Sequence, residues 1–68
     1  MMIDIKRNGQ IETIKENTVL KQALEQWDYQ GASFAVAINC IFVPRCDFES
    51  TYLKEGDDVE IVTPMQGG

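Results

Sequence analysis

The sequence has no histidine, two cysteines, two prolines and one tryptophan, and no apolar run long enough to cross a bilayer. Each shortage removes a class of function. Without histidine, the side chain that most often serves as general base or metal ligand near neutral pH is missing. Cys40 and Cys46 stand at a spacing that matches no zinc or redox motif, and the chain has no histidine to complete a metal site with them. The expectation for both is a reduced thiol in or near the core. Basic residues are also scarce: six Lys and Arg face eleven Asp and Glu, for a net charge of −5. Nucleic acid and anionic membrane surfaces need a basic footprint, so neither is expected as a partner. The charge suits a partner with a basic docking face, or serves solubility alone. Met1-Met2-Ile3-Asp4-Ile5-Lys6 lacks the basic head and apolar stretch of a signal peptide, and the expected location is cytoplasmic.

What is present fits one small domain. At 68 residues the chain has no room for a second core or a deep cleft. A self-sufficient enzyme is not expected, and no catalytic residue or metal ligand is assigned. Residues 2–7 alternate, with Ile3 and Ile5 on one face and Asp4 and Lys6 on the other, which predicts a half-buried strand. Asn8-Gly9 then signals a tight hairpin, because a type I′ turn needs positive φ at both central residues. The return strand over 10–14 has a flaw: Ile11 and Ile14 cannot share a face.

Thr18 is placed to cap a helix in which Leu20, Ala23, Leu24 and Trp27 form the apolar stripe. Trp27 reads as the edge of the core or, less simply, as a partner contact. Gly31 lies in the following loop. Phe34, Val36 and Ile38 predict a strand whose other face carries Ala35 and Ala37, small enough for another protein to approach closely. A short strand at Ile41-Phe42-Val43 is stopped by Pro44. Residues 45–52 read as irregular with a single helical turn, and Leu53 as their anchor to the core. Glu55-Gly56-Asp57 is a turn, and 58–62 a last strand with Val59 and Ile61 inward. One helix on a mixed sheet makes an α+β domain, with the first and last strands side by side as one option.

The sequence closes on Thr63-Pro64-Met65-Gln66-Gly67-Gly68. Pro64 fixes φ and lacks an N–H, so it ends sheet pairing and biases Thr63 toward extended backbone. A Gly-Gly end passes through a channel that any Cβ would block. The expected organisation is a single domain over 1–68, with 63–68 as an extended, flexible arm that spans about 20 Å at roughly 3.3–3.6 Å per residue.

Three segments in order carry a resemblance. Ala37-Ile38-Asn39-Cys40-Ile41-Phe42-Val43-Pro44-Arg45 is similar to the A-[IV]-N-x-x-[IV]-V-P-R stretch of the ThiS family of thiamine-biosynthesis sulfur carriers. The run from Leu53 through Gly56-Asp57 to Val62 resembles its L-x-[DE]-G-D-x-[IV]-E-[IV] segment, and Gly67-Gly68 closes the chain as in that family. Thr18-Val19-Leu20 with Ala23-Leu24 resembles its helix start. Phe42 stands where Ile or Val is commoner, and Phe48 where Trp is frequent.

The resemblance implies a ubiquitin-like β-grasp fold of about five strands on one helix. It implies that Gly68 is adenylated by a ThiF-like (E1-like) enzyme with ATP and converted to a thiocarboxylate. That group would deliver sulfur to a ThiG-like thiazole synthase. Gly67, Gln66 and Met65 would enter the partner's channel. The sulfur donor would be a cysteine desulfurase or a rhodanese-type protein. The chain itself would bind no cofactor and act as a substrate of its partners. Alternatives are a carrier for molybdopterin or another sulfur metabolite, a ubiquitin-like modifier of lysines, and an interaction module with an inert tail.

Overall fold

Period-two alternation sets the first hairpin. In the computed structural model, which describes residues 1–29 and 34–63, β1 (Met2–Arg7) pairs antiparallel with β2 (Gln10–Lys15). Asn8 and Gly9 both take positive φ, 52° and 86°, as a two-residue I′-type turn requires. The flaw in the return strand resolves as geometry demands. Ile14 enters the core, while Ile11 points to solvent at 69% exposure.

Helix α1 (Leu20–Gln26) buries Leu20, Ala23 and Leu24, and Trp27 packs partly buried against the same core. The expected Thr18 cap is not formed. The helix begins two residues later, and its N-cap position is Val19, with no side-chain cap. The Thr18 hydroxyl donates to the Lys15 carbonyl instead. Backbone carbonyls of the 48–51 loop take over the capping: the Leu20 amide donates to Thr51 at 2.7 Å and the Lys21 amide to Phe48 at 3.1 Å.

β3 (Ala35–Ile38) and β4 (Ile41–Val43) form a second hairpin around Asn39 and Cys40, whose φ values of 53° and 68° again make a tight turn. Pro44 ends β4, a 3-10 turn comes next at Arg45–Asp47, and Leu53 anchors the segment in the core. β5 (Asp58–Val62) buries Val59 and Ile61. Both cysteines depart from expectation. Cys40 sits at a hairpin tip and Cys46 on the 3-10 turn, and both are exposed free thiols.

Among the described residues the five strands form one mixed sheet in the order β2-β1-β5-β3-β4. β5 lies between β1, to which it runs parallel, and β3, to which it runs antiparallel. Ile5, Leu20, Val36, Leu53 and Val59 are the largest fully buried side chains. They join the helix to one face of the sheet, in the α+β arrangement expected from the sequence.

Candidate functional site

β5 (Asp58–Val62) leads into the C-terminal residues expected to form the arm. Its inward residues, Val59 and Ile61, are held in the core, and Val62 faces outward opposite Ala35. β5 pairs with β3 from Val59 to Val62 and with β1 at Asp58 and Val59, so the strand is held in the sheet and pinned to the core from below. Thr63 is the last residue described in this region. Pro64, Met65, Gln66, Gly67 and Gly68 lie outside the described residues, as does Gly31 in the 30–33 loop.

The sheet face turned away from the helix carries a second feature. Ala37 stands opposite Phe42 on one side and Glu60 on the other, and Ala35 opposite Val62. Phe42 and Val62 are each 64% exposed, so two large apolar side chains flank a floor of alanines. The exposed carboxylates Asp58 and Glu60 edge it along β5. A clustered apolar patch with a charged rim has the make-up of a protein docking surface. Sequence reasoning identifies the alanine face but not Phe42 and Val62 as its flanks. The signal is available in the outward parity of both residues on their strands.

A further side chain escapes sequence reasoning. Asn8 reads from the sequence only as a turn former, yet its amide donates from Nδ2 to the Ile61 carbonyl at 3.2 Å and accepts from the Ile61 N–H through Oδ1 at 2.7 Å. Beside it, Arg7 bridges Glu12 at 2.6 Å and lies 5.2 Å above the Trp27 ring. The hydrogen bond that the guanidinium donates to Glu12 holds its pKa above the usual value. Trp27 is thus a core-edge residue stacked by a cation.

On the helix side an open groove of about 690 Å³ lies among Leu24, Tyr29, Phe34 and Phe48, with Lys21, Arg45, Cys46 and Glu49 on its lining. Its charges are mixed in sign, and Lys21 pairs with Glu49 at 2.7 Å. Among the described residues there is no group of three or more His, Cys, Asp or Glu side chains able to hold a metal ion. No helix described is long and apolar enough to cross a membrane.

The ThiS family profile matches residues 3–68. The chain belongs to the ThiS family. It is 35% identical to the protein ycf40 of Porphyra purpurea over 66 residues, 97% of this chain and 93% of that one. The Pyropia yezoensis protein of the same name is 33% identical with the same coverage. Among solved structures, the crystal structure of the thiamine biosynthesis protein ThiS from Geobacter metallireducens superposes with a TM-score of 0.82 at 28% identity. The match covers 97% of this chain and all of that one. The fold is therefore the β-grasp of ThiS. At the family level the chain is a small sulfur carrier of thiamine biosynthesis, a role that fits a non-enzyme. Family membership implies ThiF-like and ThiG-like partners in general.

Proposed function

We propose that this protein carries sulfur as a thiocarboxylate on Gly68, for the thiazole ring of thiamine. It acts as a single domain over 1–68 with 63–68 as the reactive arm. The observation that carries this reading is the family match running through Gly67 and Gly68 on a chain whose last described strand is fixed in the sheet.

The chemistry explains why the arm must end as it does. A free carboxylate is a poor acyl donor because its leaving group would be oxide. Attack of the Gly68 carboxylate on the α-phosphorus of ATP releases pyrophosphate and gives a mixed anhydride with AMP. Hydrosulfide displaces AMP directly to leave the thiocarboxylate. A donor persulfide displaces AMP to form an acyl disulfide, from which a thiol then releases the thiocarboxylate. The ATP site and catalytic groups belong to the ThiF-like partner, and sulfur comes from a cysteine desulfurase or rhodanese-type donor. The chain contributes the reacting atom and no bound cofactor. Gly67, Gln66 and Met65 thread the partner's channel, while the Phe42–Val62 face docks on its surface.

The deciding experiment incubates the full chain with a ThiF-like enzyme, ATP and a sulfur source, then measures intact mass. Replacement of one oxygen by sulfur, located at Gly68 by fragmentation, is the expected result. A chain that never gains sulfur, or one whose downstream activity survives removal of Gly67 and Gly68, overturns the proposal.

A further inference from the structure

The β1–β5 pairing stops short of the end of β5. β1 meets β5 at Lys6–Asp58 and Arg7–Val59, and the Asn8 amide donates to the Val59 carbonyl at 2.9 Å. The turn at Asn8 and Gly9 then carries the backbone to β2, on the side of β1 away from β5. The next backbone groups of the ladder, the N–H and C=O of Ile61, thereby lose their main-chain neighbour. Ile61 is 6% exposed, and a buried unpaired peptide group is costly. The Asn8 side chain fills both vacancies. Like a peptide group, a primary amide carries an N–H donor beside a carbonyl acceptor, and here it bonds the Ile61 carbonyl and N–H together.

We infer that Asn8 is a positioning residue for the reactive arm: its side chain extends the β1 ladder to Ile61 and fixes the direction in which the chain leaves the sheet two residues later. The inference rests on the arm-loading function proposed above and names a residue for it. Asn39 supplies the contrast. It has a similar φ of 53° and grips the opposite end of β5, accepting from the Asp58 N–H at 3.0 Å and donating to the Asp57 carboxylate at 3.1 Å. That clamp lies at the start of β5, remote from the arm. Both asparagines occupy turn positions that glycine tolerates, so Asn→Gly removes the side chain without forbidding the turn.

The test compares Asn8→Gly, Asn8→Asp and Asn39→Gly with the wild-type full chain. It uses amide exchange of the free protein and steady-state adenylation by the ThiF-like enzyme. In Asn8→Gly the Ile61 amide should exchange about tenfold faster relative to Val59, the scale of one lost hydrogen bond. The kcat for adenylation should fall by about the same factor with KM unchanged, because the docking face is intact. Asn8→Asp keeps the acceptor but not the donor, and should fall between. Asn39→Gly should leave kcat unaltered. Wild-type kcat in Asn8→Gly, a change confined to KM, or an equal kcat loss in Asn39→Gly overturns the inference. If Asn8→Gly does not fold, Asn8→Asp decides it by the same criteria. An unadenylated wild-type chain refutes the functional reading and the arm-directing role with it. Unchanged Ile61 exchange refutes the clamp alone.

Discussion

Single atoms decide much in this chain, and two positions show it from opposite directions. At Gly67 the absence of a Cβ is the proposed qualification for entering a partner's channel. Gly67→Val should leave thermal unfolding unchanged, since the change falls after β5 in the sequence, while adenylation of Gly68 falls below detection. Normal adenylation of the valine variant would show that the channel does not read side-chain size. At Cys40 a Cβ is present where the backbone would do better without one. The residue sits at the second position of a tight turn with φ of 68°, a region that costs an L-residue roughly 1–2 kcal/mol. Its thiol is exposed and free, so nothing compensates through packing. Cys40→Gly should therefore raise stability by about 0.5 kcal/mol, the strain relieved less the backbone entropy that glycine loses on folding. Urea denaturation with an unchanged m-value is the check, and a lowered midpoint would contradict the strain argument.

At the scale of elements, local pattern and tertiary context divide the credit. Alternation locates β1 and β5, the Asn8-Gly9 signal locates the first hairpin, and Pro44 marks the end of β4. These are rules of one or two residues, and a sequence displays them directly. The helix start is not legible, because the groups that cap it are the Phe48 and Thr51 carbonyls about thirty residues away, and such partners leave no local trace. The double role of Asn8 stays hidden for the same reason: its turn preference is local, whereas its bonds to Ile61 exist only once β1 and β5 lie side by side. The cysteines defeat the expectation of burial because small sulfur side chains are usually inside, and only the turn geometry shows them outside.

The Lys21–Glu49 bridge ties α1 to the same loop that caps it. The hydrogen bond and charge of Lys21 hold the Glu49 carboxyl below its ordinary pKa, and those of Glu49 hold the Lys21 ammonium above its own. The Glu49 contribution is present above the ordinary carboxylate range and is lost as pH falls through the depressed value. The Lys21 contribution is present below the ordinary amine range and is lost as pH rises through the raised value. The bridge thus acts across the neutral window. Melting of Lys21→Met should lie slightly below wild type near pH 7, and the gap should close in acid well below the ordinary carboxylate range, or in high salt. A gap that persists in acid would assign the effect to the lysine's packing.

On the scale of the whole molecule, the sheet separates two tasks. One face is consumed by the helix and core. The other remains outside and brings Phe42 and Val62 over a floor of Ala35 and Ala37, edged by Asp58 and Glu60. The proposed arm follows β5, the strand that also contributes Val62 and Glu60, so the proposed docking and delivery would share one element. An excess of five negative charges adds a longer-ranged attraction toward a basic partner. These contributions separate experimentally. Phe42→Ala removes an exposed ring and should leave the melting temperature within a degree or two, because the side chain is 64% exposed. Its dissociation constant for the ThiF-like partner should rise by at least about tenfold, as expected for an exposed aromatic anchor of an interface. Glu60→Gln should act mainly on the association rate, and its penalty should fade as salt rises from about 50 mM to about 500 mM. Titration calorimetry and stopped-flow binding read the two effects apart. Wild-type affinity in Phe42→Ala would move the docking surface elsewhere, and a salt-independent association rate would remove electrostatic steering from the account of how this carrier meets its partners.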